Sequence, residues 1–109
     1  NASSALRFRF YSTLDGSVGT DVTADTAFGA GDIGVWMHLA VTADVSVPTV
    51  NMYKNGSSFA STATDTSATS IVNNTAPFAL GCQFSGGRPI TFFDGKMDEL
   101  RIYNRALSP

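Results

Sequence analysis

The sequence predicts an all-β chain folded as an antiparallel β-sandwich. Three observations carry this expectation. Short runs of alternating apolar and polar residues recur along the chain with turn residues between them. Helical periodicity is nearly absent. The runs also follow one another without the helices that a parallel sheet needs as crossovers.

Residues 5–14 open the pattern, with Leu6, Phe8 and Phe10 on one face and Arg7, Arg9 and Tyr11 on the other. Asp15-Gly16-Ser17 is a turn signal, because Gly readily supplies positive φ. Residues 20–28 form a weaker strand rich in Thr and Ala, broken by Gly29-Ala30-Gly31-Asp32. Residues 35–43 read as the strongest strand, with Val35, Met37, Leu39 and Val41 on one face and Trp36, His38, Ala40 and Thr42 on the other. Both faces are largely apolar, so this strand is expected to be central.

Residues 50–54 form the next strand, followed by Asn55-Gly56. Asn-Gly between alternating residues marks a tight hairpin, since a type I′ turn needs positive φ twice. Residues 57–60 are the return strand, and 61–75 read as a long loop or ragged edge strand. A short buried strand is expected over 77–82 and a surface loop over 83–91, with Gly86-Gly87 and Arg88-Pro89. Residues 92–103 are expected as the last long strand, with Leu100 and Ile102 inward, Arg101 and Tyr103 outward, and a bulge at Gly95.

The 109 residues make one domain, 1–109, with 1–4 expected as a tag remnant or disordered end. The chain opens without Met or a signal peptide and closes on Ser108-Pro109, a helix-starting pair, so both ends are expected to be cut. A net charge of -2 and a pI near 5.0 argue against a nucleic-acid partner. No apolar run is long enough for a membrane helix, so no membrane partner is expected. One Cys and one His exclude a disulfide framework and a Cys/His zinc cluster within the chain.

The run Trp36-Met37-His38-Leu39-Ala40-Val41-Thr42 resembles the W-x-H-hydrophobic-A strand of laminin-G-like domains, jelly rolls of the concanavalin A-like lectin and glucanase superfamily. Val50-Asn51-Met52-Tyr53-Lys54-Asn55-Gly56 resembles that family's V-x-L-Y-x-N-G hairpin, and Phe78-Ala79-Leu80-Gly81 its short strand ending in Gly. Residues 93–108, from Phe93-Asp94-Gly95 through Asp98-Glu99-Leu100-Arg101-Ile102-Tyr103 to Ser108, follow the family's F-x-G-x-I-D-E-V-R-I-Y-N-R-A-L-S. Residues 1–35 resemble it only loosely. The resemblance implies a concanavalin A-like jelly roll lacking its first strands and closing helix. Such a fold would expose sheet edges, so a homo-oligomer is expected, a dimer formed by sheet-edge pairing or strand exchange.

Superfamily glucanases place two carboxylates about 5–5.5 Å apart on alternate positions of one strand. Nothing here has that spacing: Glu99 is the only Glu, and adjacent Asp98 and Glu99 point to opposite faces of a regular strand. His38, the one candidate base for a Ser or Cys82 nucleophile, is read as a hydrogen-bonded core residue, and Cys82 as a small buried one. Catalytic residues are therefore expected to be none.

The resemblance also implies calcium at the sandwich rim, with Asp94 as its ligand and Asp15 or Asp44 behind it. The competing reading makes these acids solvated turn residues. Sugar binding needs an aromatic platform beside planar polar groups, and the 83–91 loop offers Gln83, Phe84 and Arg88. The bland alternative there is a flexible loop with one aromatic packed down. Trp36, His38, Tyr53, Asn55, Gly56, Gly95 and Asp98 read as structural, with Arg101 or Arg105 as charge partner of Asp98.

The expected function is a non-catalytic, extracellular, lectin-like module, secreted or on the cell surface, that binds carbohydrate through rim loops. The alternative is a structural or adhesion module binding protein or itself. A glycoside hydrolase remnant ranks last.

Overall fold

The computed structural model describes residues 6–15, 17–25, 28–46, 49–73, 75, 78–85 and 87–107, with the backbone alone of residues 64, 65, 84 and 85. The chain divides into two compact units, one of residues 1–72 with 104–109 and the other of residues 73–103.

Two three-stranded antiparallel sheets build the first unit. One has the order β1-β2-β6, from β1 (Arg7–Tyr11), β2 (Gly19–Ala24) and β6 (Ser61–Thr66). The other has the order β3-β4-β5, from β3 (Leu39–Asp44), β4 (Thr49–Lys54) and β5 (Ser57–Phe59). A 3-10 turn, Ala30–Asp32, lies between β2 and β3. The sheets share a core in which Val22 and Ala24 from the first meet Met52 from the second. Leu6, Phe8, Phe28, Val41, Val50 and Phe59 pack around it. The alternation expected on β1 is present: Phe8 packs against the core while Arg7, Arg9 and Tyr11 stay exposed.

The outer face of the first sheet is held by charge. Arg9 lies directly opposite Asp21 in the β1–β2 register, and Arg7 is one position along on the same face. The Arg7 Nε–H donates to Asp21 Oδ1 at 2.7 Å and the Arg9 Nε–H to Oδ2 at 3.0 Å, with a further bond from the Nη2 of each. The Asp21 side chain is only 10% exposed. The Arg7 guanidinium, and then that of Arg9, hold its carboxyl below the usual carboxylate range.

Residues 35–43 depart from expectation. The strand begins only at Leu39 and lies at a sheet edge, not the centre. Asn55 accounts for this: its backbone N–H donates to the His38 carbonyl at 2.8 Å, and its Oδ1 accepts the His38 N–H at 2.9 Å. That clamp closes the β3–β4 ladder, and the preceding chain turns away through Gly34 at φ +76°. Residues 61–66 take the edge-strand option left open by the sequence.

In the second unit, β7 (Gln83–Ser85) and β8 (Arg88–Ile90) form a hairpin where a surface loop was expected. The strands expected over 77–82 and 92–103 are absent from the described residues, and Phe78 is 70% exposed. Leu100 and Ile102, expected inward, are 57% and 69% exposed. Thr91 and Glu99 both sit at φ +54°, a conformation that no extended strand passes through. With no ladder there, Gly95 has nothing to bulge from.

Met52 is 1% exposed at the centre of the core. Met52→Ala is expected to lower the unfolding free energy by about 2–4 kcal/mol, measured by urea unfolding. Thr20 Oγ1 is buried with no hydrogen-bond partner among the described residues. Thr20→Val keeps the shape and removes that hydroxyl, so it is expected to stabilise by about 1 kcal/mol in the same assay.

Candidate functional site

The most exposed aromatic surface of the first unit lies on the loop between β2 and β3. Ile33 is 82%, Val35 60% and Trp36 67% exposed. Trp36, read from the sequence as structural on a continued strand, instead stands open to solvent. His38, read as a core histidine, is also exposed, because the strand has not yet begun at either position.

This loop is anchored at two points, both on the end of β4. At one end, Lys54 Nζ donates to Asp32 Oδ2 at 2.7 Å, and the same oxygen accepts the Gly29 N–H at 2.8 Å. Lys54, and then that N–H, hold the Asp32 carboxyl below its usual range. At the other end stands the two-bond clamp between Asn55 and His38. The clamp exists because Asn55 and Gly56 make the tight turn, at φ +51° and +82°, as the sequence predicts. Tyr53, half-buried and opposite Ala40, belongs to the ladder leading into it.

Chemically, the loop presents an indole face on a fixed backbone. His38 and Asn55, both exposed, and the Asp32–Lys54 pair lie at its anchors. A flat apolar ring with hydrogen-bonding groups on its supporting turn suits a ligand with an apolar face and polar edges. Sequence reasoning missed this because it weighed the strand period over the break. Gly34, two residues before Trp36, was the available signal.

The second unit carries the residues that the sequence proposed for sugar binding. Gln83 pairs with Ile90 and Ser85 with Arg88, so the register places Gln83 and Arg88 on one face of the hairpin. Gln83 is half-buried and Arg88 exposed. Phe84 occupies the alternate register position, opposite Pro89. Its side chain lies outside the described residues.

The acids are mostly engaged in local structure. Asp15 Oδ1 accepts from the backbone and hydroxyl of Ser17, which pull its carboxyl down to about 2. Asp44 Oδ1 accepts from the same two groups of Ser46. Asp94 is exposed, and among the described residues no three His, Cys, Asp or Glu side chains gather into a metal site. Asp94 offers one carboxylate toward the six to eight oxygens that Ca²⁺ takes. Asp98 accepts from the Glu99 N–H at 2.8 Å. Arg101, expected beside Asp98, instead reaches Glu99 at 3.2 Å, both side chains being strongly exposed. Cys82 is half-buried with a free thiol.

A depressed carboxyl contributes its latch fully above its unfolded pKa, with a reference value of 3.8 for Asp32, and loses it as pH falls through the lowered folded value. Trp36 is the only Trp in the chain. Its emission is therefore expected to hold steady from neutral pH to about 4 and to change below. Asp32→Asn is expected to show the altered emission already at neutral pH.

The model of the family Laminin_G_3, described as the concanavalin A-like lectin/glucanases superfamily, matches residues 1–109, including the first 35 residues whose likeness was loose. No curated protein and no solved structure matches the sequence. The chain, with its two face-packed antiparallel sheets, belongs to the laminin G-like family Laminin_G_3 of the concanavalin A-like lectin/glucanases superfamily.

Proposed function

We propose that this chain is a carbohydrate-binding module that works outside the cell and takes its ligand at the sandwich rim, on the loop carrying Trp36. Laminin G-like domains are generally non-catalytic, and family membership supports a binding role at this coarse level. The observation that carries the finer reading is the 67% exposure of Trp36 on a loop pinned at Asp32 and His38. An exposed indole costs solvation unless a partner covers it, and a pinned one loses little entropy when covered. The C–H face of a pyranose meets that need while its hydroxyls reach polar groups. The β7–β8 hairpin, with Gln83 and Arg88 on one face, is a further contact proposed for the same class of ligand. The chain is proposed to have no catalytic activity, its single Glu being exposed and paired with Arg101.

A glycan array, run with calcium and with EDTA, tests this reading. Saturable binding is expected in both conditions. Trp36→Ala is expected to weaken it by at least about tenfold, and Arg88→Ala by less. Binding that survives Trp36→Ala undiminished would place the site elsewhere, and binding only with calcium would restore a metal at the rim.

A second reading, a homodimer, has one observation in its favour. Phe78, Leu80, Phe92, Phe93, Leu100 and Ile102 are all exposed in the second unit. Light scattering at micromolar concentration decides it: a dimer mass supports self-association, and a monomer mass removes it.

A further inference from the structure

The first unit holds a second place where a ligand fits, and it arises from how the chain changes sheets. Asn55 directs its N–H toward β3, to the His38 carbonyl. Peptide groups alternate in direction along an antiparallel strand, so Tyr53 and Asn51 also face β3, whereas Lys54, Met52 and Val50 face β5. β5 covers only part of that edge. Its register is Lys54↔Ser57, Tyr53↔Ser58 and Met52↔Phe59. One step further, Val50 would meet Ser61. Ser61 instead pairs with Ala24 in the other sheet, the chain having crossed at Ala60, whose carbonyl accepts the Asp25 N–H at 3.0 Å.

A cleft of about 210 Å³ opens where the strand leaves. Thr49–Asn51 line one wall, and Ser61, Ala63 and Thr66 of β6 line the other, with Val22 of β2 completing it. The N–H and C=O of Val50 face the gap left by β5. The side chains of Thr49, Asn51, Ser61 and Thr66 have no hydrogen-bond partner among the described residues. None of the described lining residues is charged.

We propose that this cleft binds one ring of a neutral sugar. The described lining combines three hydroxyls, one carboxamide and the peptide unit of Val50 with the apolar surfaces of Val22, Val50 and Ala63. Hydroxyls both donate and accept, which matches a polyol better than a one-sided acceptor or donor. The described lining offers no counter-charge to a uronate or an amino sugar, so an ion there would lose solvation without compensation from these residues. The volume lies below the roughly 300 Å³ at which pockets for drug-sized ligands begin, so it takes a single ring rather than an oligosaccharide. The inference rests on the carbohydrate reading above but uses none of the rim residues.

The test is an amide correlation spectrum of the chain, titrated through the millimolar range with methyl glucoside, methyl galactoside, methyl mannoside or glucuronate. At least one neutral glycoside is expected to shift the amides of Val50, Ser61 and Thr66, whether or not it also moves the Trp36 indole. Ala63→Leu fills the cleft and is expected to abolish those shifts while the spectrum stays dispersed. If Ala63→Leu fails to fold, Ser61→Ala serves instead, with half-saturation raised at least about fivefold. The inference is overturned if no neutral glycoside moves these amides, if glucuronate moves them equally well, or if the shifts survive the folded variant unchanged. Response at the Trp36 indole alone defeats the cleft and leaves the rim; response at Val50 alone does the reverse.

Discussion

The turn at Asn55-Gly56 fixes the geometry of the second sheet and of much that surrounds it. Its two left-handed residues allow a two-residue connection, which sets Lys54 opposite Ser57 and so fixes the whole β4–β5 register. The same Asn55 satisfies both backbone groups of His38, one through its main chain and one through its amide oxygen. That pair of hydrogen bonds locates the start of β3. It also determines that the residues before it, Trp36 among them, leave the sheet and meet solvent.

The core follows from the same register. With Lys54 at the turn and Val50 and Met52 on the alternate positions, β4 sends Met52 to meet Val22 and Ala24 of the facing sheet. The return strand is short because the chain crosses to the other sheet at Ala60, where the Asp25 N–H and the pairing of Ser61 with Ala24 receive it. A longer β5 would run on past Val50 and fill the cleft. The crossing that ties the two sheets together thus also ends β5 one step short of Val50.

Electrostatics plays a narrower part. Asp21 lies low on the outer face of the first sheet and gathers two guanidiniums from β1, which adds to the β1–β2 pairing beyond its backbone ladder. Asp32 is used differently, fastening a loop to the end of β4 through Lys54. Asp15 and Asp44 accept from Ser17 and Ser46 in turns of their own. Four of the acids are thereby committed to shape.

The sequence by itself determined what depends on neighbouring residues. Alternation at Leu6–Tyr11 and Val50–Lys54 marked strands and their buried faces, and Asn55-Gly56 marked the hairpin, because period and turn chemistry are written within a few positions. The family was legible for the same reason, its motifs being local runs. What only the tertiary structure decided was where those patterns stop. Alternation continues through Val35–His38 and Leu100–Tyr103, yet neither run is in a strand, since a strand exists only where a partner's backbone lies alongside. The exposed Trp36 and the open edge at Val50 both arise at such endings. Their position follows from bonds across 17 residues of chain at His38–Asn55 and from a sheet change at Ala60, long-range events that no local period records.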